Sequence, residues 1–227
     1  MNIYAFIPSR TSTYSPTTLR LFSYLESAKV KVVSLVGKDS IFSAFSEAYT
    51  KINPSEEDVI ILCHDDIQIL TDLSEFELGL KELENPKIGF IGVAGTTLLD
   101  RDSVWWNHDR WKKGLHRGLV FHGESTKTAD ITYYGKPGEV VVMDGLFLAA
   151  KARTLKPLLT SDPGYEGKWD FYDLHYTSEA YKSGLTNLVV PIIVMHNSRG
   201  ELAGRTSWDK NRLEFIRRNN FPFRCKV

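Results

Sequence analysis

Sulfur is scarce in this chain, and long apolar runs are missing. Two cysteines occur in 227 residues, Cys63 inside an apolar run and Cys225 close to the C-terminal end. That number and spacing exclude a disulfide framework and a zinc ribbon, and they fit a reducing cytoplasm. No stretch approaches the roughly 20 apolar residues of a membrane span. The first residues run straight into a strand-like segment, Ile3 to Ile7, without the charged start, apolar stretch and cleavage site of a secretory signal. There is no G-x-x-x-x-G-K-[ST] phosphate loop, and no G-x-G-x-x-G follows the first strand. H-E-x-x-H and G-x-S-x-G are also missing, so zincin and α/β-hydrolase chemistry have no anchor. No internal repeat or low-complexity segment occurs, and no Pro/Gly/Ser linker divides the chain.

Net charge is absent as well, since 28 Lys and Arg balance 28 Asp and Glu. The balance is uneven along the chain. Residues 199–227 carry eight basic and three acidic residues, a net +5, which leaves −5 for the remainder. Such a tail either presents a solvated helix face or meets an anion such as a diphosphate or a lipid headgroup.

What is present alternates. Strand-like runs cover Asn2–Ile7, Lys29–Val36, Asp58–Cys63, Ile88–Val93, Val140–Ala149 and Leu188–Met195. Helical patterns lie between them at Thr17–Ala28, 39–52, Leu73–Leu83 and Asp173–Ser183, with a last basic helix over Trp208–Arg218. Within 39–52, Ile41, Phe42, Phe45, Ala48, Tyr49 and Ile52 share one face. This order predicts a single α/β domain with a mostly parallel, Rossmann-like central sheet flanked by helices. Residues 100–138, with Trp105, Trp106 and Trp111, read as a long functional connection.

The most telling segment is Asp58-Val-Ile-Ile-Leu-Cys-His-Asp-Asp66. A short apolar run of this kind reads as a strand buried on both faces. Its C-terminal end is where α/β sheets place ligands. His64, Asp65 and Asp66 there are hard and borderline metal ligands, or else carboxylates capping the next turn. Two more polar clusters follow apolar runs: Asp144-Gly145, and His196 with Asn197, Ser198 and Arg199. A carboxylate inside an apolar strand needs a partner or a ligand, because burying it bare is costly. A fourth cluster, Tyr165 to Asp173, precedes a helix. Asp173 stands where an N-cap would, or serves as a general base, and Asp170 competes for that role. Trp105, Trp106 and Trp111 read, at their blandest, as a small satellite core. His108, His116, His122 and His175 read as polar surface or internally bonded residues.

Taken in order, these clusters resemble a GT-A-fold glycosyltransferase of the family-2-like, nucleotide-sugar-dependent kind, across about residues 2–200. Tyr4-Ala-Phe-Ile-Pro-Ser-Arg10 is similar to that family's first strand and nucleotide-binding loop. Asp58–Asp66 is similar to its metal strand, with His64 where the first carboxylate of Asp-x-Asp stands. Val142–Lys151 resembles the segment that contacts donor sugar and acceptor. Phe171-Tyr-Asp-Leu174 falls where the family has Glu-Asp, with Tyr172 in place of the Glu. His196 matches a late metal-ligand His. The resemblance implies an inverting enzyme that moves a sugar from a UDP- or GDP-sugar to a glycan or glycolipid hydroxyl. It implies Mn²⁺ or Mg²⁺ on Asp66 and His196, and Asp173 or Asp170 as base. Pro8, Ser9, Arg10, Asp39, His64, Asp65, Asp144, Gly145, Arg199 and Arg205 then serve the nucleotide sugar, and Trp105, Trp106 and Trp111 the acceptor. Residues 1–100 would form the nucleotide half, 101–200 the acceptor and catalytic half, and 201–227 a basic tail. The expected protein is cytoplasmic, binds no nucleic acid, and offers its tail for peripheral membrane contact. Three other readings compete: a sugar nucleotidyltransferase, a metal-dependent phosphohydrolase and a carbohydrate-binding module. The first would want a Gly-rich loop with a Lys after the first strand, which Pro8–Tyr14 lacks.

Overall fold

The computed structural model describes residues 1–159, 163–165, 168–197 and 206–225. The first half alternates as its sequence pattern predicts: β1 (Ile3–Ser9), α1 (Pro16–Ser27), β2 (Lys31–Val36), α2 (Ile41–Ile52) and β3 (Val59–Cys63). Helix starts follow local chemistry. Pro16 opens α1, and the Ser15 hydroxyl accepts the Thr18 N–H at 3.1 Å. Ser40 caps α2 by accepting the Phe42 N–H. Ile41, Phe42, Phe45 and Ala48 turn inward along that helix, and Asn53 closes it in a left-handed conformation.

After β3 the chain makes a three-residue turn into β4 (Ile67–Ile69), then α3 (Leu73–Lys81) and β5 (Ile88–Gly92). β6 (Ala94–Thr96), β7 (Leu98–Leu99) and the short α4 (His108–Lys112) follow. Residues 100–138 are more regular than a connection, because β8 (His116–His122) and β9 (Asp130–Gly135) pair as an antiparallel hairpin. The apolar run Val140–Ala149 is not one strand. It divides into β10 (Gly138–Val140), β11 (Val142–Met143) and β12 (Phe147–Lys151), with Asp144 and Gly145 in the turn between the last two. α5 (Ala152–Leu159), which the pattern did not announce, and α6 (Tyr172–Lys182) come next. The run Leu188–Met195 is likewise two strands, β13 (Thr186–Val189) and β14 (Val194–His196), separated at Pro191, which has no N–H for a ladder. The described residues end with α7 (Thr206–Arg218) and β15 (Phe223–Arg224), which pairs with β7.

The larger sheet has the order β10-β13-β5-β12-β3-β1-β2. Five strands share one direction, and β12 and β10 run against them. β3 lies inside this sheet with every residue buried. Each of Val59, Ile60, Ile61 and Leu62 contributes about 1.5–3 kcal/mol by leaving water. The second sheet has the order β11-β6-β8-β14-β4 with β9 beside β8, and its edge strand β4 directly follows the C-terminal end of β3. It brings the ends of β3, β11 and β14 together.

Candidate active site

Three turns meet where the two sheets join. The His64 N–H donates to the Leu146 carbonyl at 3.2 Å, which fixes the β3 exit against the turn after β11. The Asn197 N–H donates to the Asp66 carbonyl at 2.9 Å, which fixes the β14 exit against the same β3 turn. Register places His196 beside His122 of β8 and opposite Ile67 of β4. The polar clusters at His64–Asp66, Asp144–Gly145 and His196 are therefore brought together.

His64, Asp66 and His196 each turn a ligand atom to a common point, and these atoms lie within 4.8 Å of one another. His196 Nε2 is 3.3 Å from one Asp66 oxygen, and His64 Nδ1 is 3.7 Å from the other. Burial pushes the Asp66 carboxyl up, but the His196 and His64 imidazoles outweigh it and hold the group below the usual carboxylate range. An ionised carboxylate with two imidazoles is a donor set suited to a borderline divalent ion such as Mn²⁺. His64 thus stands with the metal-competent residues. Asp65, between them in the turn, is half-buried.

Across the turn lies Asp173. It is not the N-cap of α6. That position belongs to Phe171, held at φ 68°, and Asp173 is the second helical residue. Its carboxylate accepts the Gly145 N–H at 3.0 Å and the Leu174 N–H at 2.8 Å. The helix N-terminus and these donors favour the charge. Burial and then the neighbouring Asp144 carboxylate disfavour it more strongly, and the pKa is pushed up to about 7. Asp144 does not sit unpaired in a strand. It occupies a turn, where its side chain accepts the Leu146 N–H at 2.8 Å. The Tyr172 hydroxyl donates to the Gly145 carbonyl at 2.7 Å. Gly145 is thereby clamped from both sides, and a Cβ there would lie 2.2 Å from the Tyr172 oxygen.

A cleft of about 420 Å³ opens over these groups. His64, Asp144, Gly145, Asp170, Asp173 and His196 line it, and so do Trp105, Trp106 and Trp111. Trp169 and Trp208 line it too, and so do His108 and His122, for which the sequence suggests only polar surface or internal bonding. Asp170 faces the cleft, but its carboxylate accepts the Ser207 hydroxyl and its carbonyl accepts the Asn211 side chain, which docks α7. His116 is not at the surface. It is fully buried against Trp105 and Tyr134, where burial and the Arg110 cation push its pKa down to about 4. His175 packs among Phe42, Tyr165 and Tyr176.

The expected nucleotide-reading residues stand apart from this cleft. Pro8 and Ser9 end β1 beside the β2 exit, with both buried, while Arg10 and Asp39 are exposed. Arg199 and Arg205 lie outside the described residues. In α7, Arg212 pairs with Asp209 and donates to the Asp102 carbonyl, and Arg217 and Arg218 pair with Glu214. Among the described residues no helix is long and apolar enough to cross a membrane.

In this mixed α/β domain, then, a metal-competent turn at the end of a central strand and a buried carboxylate meet beside one cleft. The chain belongs to the glycosyltransferase-like family, whose profile matches residues 15–215, and it is a glycosyltransferase. Its fold is similar to that of GT-A glycosyltransferases. The structure of GalNAc-T7 with UDP, GalNAc and Mn²⁺ superposes with a TM-score of 0.57 at 14% identity, covering 93% of this chain and 47% of that one. The crystal structure of A197 from STIV gives a TM-score of 0.45 at 13% identity, covering 86% of this chain and 85% of that one. No curated protein sequence matches.

Proposed function

We propose that the protein transfers a sugar from a UDP- or GDP-sugar to a glycan or glycolipid hydroxyl, with inversion and with a divalent ion. One observation carries this: His64 and His196, which cluster with Asp66, line the same cleft as Asp173. GalNAc-T7, which shares the fold, holds UDP and Mn²⁺ in its structure. A Mn²⁺ or Mg²⁺ ion bound by Asp66, His196 and His64 would act as a Lewis acid on the diphosphate charge that grows as the glycosidic bond breaks.

The chain's own groups do the rest. The Gly145 and Leu174 N–H groups aim the Asp173 carboxylate. That carboxylate takes the proton of the acceptor hydroxyl while the hydroxyl oxygen bonds to the anomeric carbon. The bond to the diphosphate breaks in the same displacement, and the nucleotide leaves with the electron pair. One displacement inverts the anomeric centre. Asp173 suits the base role better than Asp170, whose carboxylate is committed to Ser207. Residues 1–100 serve the nucleotide and 101–200 the acceptor and the chemistry, with α7 adding Trp208 to the acceptor side.

Calorimetric titration with UDP and GDP tests the site. Binding is expected only with Mn²⁺ or Mg²⁺ present, and Asp66→Ala should abolish it. Equal binding in chelator, or an unaffected variant, would overturn the proposal.

A further inference from the structure

All five tryptophans of the chain, Trp105, Trp106, Trp111, Trp169 and Trp208, line one cleft. They come from separate places: the segment after β7, α4, the segment before α6, and α7. Their rings connect. Trp106 lies 5.9 Å from Trp105 and 5.8 Å from Trp208, and Tyr134 bridges Trp105 at 5.2 Å and Trp111 at 6.1 Å. Trp105 is buried in the core, as a satellite core would have it, but the outer rings are not. Trp111 is 38% exposed and Trp169 is 41% exposed, each at the cleft. Large flat apolar faces left in water at a concave site mark a binding surface.

Charge narrows what binds. Among the described residues that line the cleft there is no Lys or Arg. Asp144, Asp170 and Asp173 line it instead. The nearby guanidiniums are turned to other work. Arg110 is buried against Asp100 and Asp102, and Arg212 pairs with Asp209 while stacking on the Trp208 ring. A phosphate-bearing acceptor would face the carboxylates of Asp144, Asp170 and Asp173 along this wall. The polar groups present are hydrogen-bonding ones. Ser103 lines the cleft with its hydroxyl unpartnered, at φ 52°, and the Trp105 indole N–H is also unpartnered. Aromatic faces combined with scattered hydroxyl, carboxylate and imidazole groups match the two surfaces of a pyranose ring, its C–H face and its hydroxyl rim.

We infer that the acceptor is an uncharged saccharide, about two linked rings within the cleft, gripped by stacking on this tryptophan wall. This rests on the glycosyl-transfer reading and narrows its acceptor to the glycan, without a phosphate. The test is titration of tryptophan fluorescence of the full chain with cellobiose, maltose, lactose and chitobiose. Undecaprenyl phosphate in detergent and p-nitrophenol are titrated alongside. At least one neutral disaccharide should saturate the signal, with Kd on the order of millimolar. Trp111→Ala and Trp169→Ala, both at exposed positions, should each weaken that binding about five- to tenfold. Binding of the phospholipid or the phenol while every disaccharide fails would overturn the inference. So would failure of all ligands, or disaccharide binding indifferent to both substitutions. A parallel titration with UDP and Mn²⁺ separates the two readings. Saccharide binding without nucleotide binding keeps this site and removes the transfer reading. Nucleotide binding without saccharide binding does the reverse.

Discussion

Asp173 carries opposing influences in a single side chain. The first turn of α6 and two backbone N–H donors pull its pKa down, while burial and Asp144 push it up to about 7. The upward effects win because water is excluded and the nearest charge has the same sign. A general base works best when its pKa lies near the working pH. Turnover should therefore rise with pH and level off above about 7, read from initial rates at saturating donor. Asp173→Asn should lower kcat by about 10²–10⁴-fold while leaving nucleotide binding intact. If Asp170→Asn does this instead, the base is Asp170. The same shift has a stability consequence. The folded protein holds the Asp173 proton more tightly than the unfolded chain, whose carboxyl titrates near its ordinary value. Below that value both states are protonated and the group contributes nothing. Stability is lost as pH rises toward about 7, and the loss is complete above it. Asp173→Asn should thus melt higher than the parent at pH 8 and equally at pH 4, by about 2–4 °C per kcal/mol relieved. A variant that melts lower at pH 8 would show that the ionised carboxylate is not a burden there.

At the scale of elements, the decisive contact is between the turn after β11 and the start of α6. Gly145 donates to Asp173 and accepts from Tyr172, so turn and helix fix each other. Gly145→Ala would drive a methyl into the buried Tyr172 ring and the Asp173 Cβ. Overpacking of this kind costs about 1–3 kcal/mol. A base displaced by even about 1 Å loses rate on the order of 10²-fold. Melting and kcat measured together check this, and an Ala variant with full activity would contradict it. This contact also shows what the sequence could and could not reveal. The β3 run and the α2 face were legible because their signals are local: continuous burial in one, helical spacing in the other. Asp144 and Gly145 were visible as a polar interruption, but Val140–Ala149 read as one strand because its turn is held by Tyr172 and Asp173 from α6. The hairpin of β8 and β9 was hidden by its polar, glycine-containing strands. Trp169, Trp208 and His122 were missed because each looks ordinary in its own segment, and only the tertiary fold brings them to the cleft. Their one local signal was rarity, since tryptophan occurs five times in the chain.

At the scale of the whole molecule, the cleft depends on how α7 closes against the rest. Phe215 of α7 is fully buried, 5.6 Å from Phe171 and 6.0 Å from Phe221 by ring centroids. Phe171 in turn holds the left-handed position before Tyr172 and Asp173, and stacks on Trp208 at 5.3 Å. The Asn211 side chain donates to the Asp170 carbonyl across the same junction. One aromatic seam therefore joins the last helix to both α6 and the tryptophan wall. The metal-competent turn lies outside this seam, held by β3, β4 and β14. Phe215→Ala should leave a cavity costing about 3–5 kcal/mol, since the surrounding rings collapse only partly. For a chain of this size that is a fall in melting temperature on the order of 10 °C. Below the melt, saccharide-induced tryptophan quenching and kcat should both drop. The affinity for UDP with Mn²⁺ should change little, because changes at separated sites act nearly independently. A variant that loses nucleotide affinity as severely as saccharide affinity would show that α7 supports the whole site rather than its acceptor side.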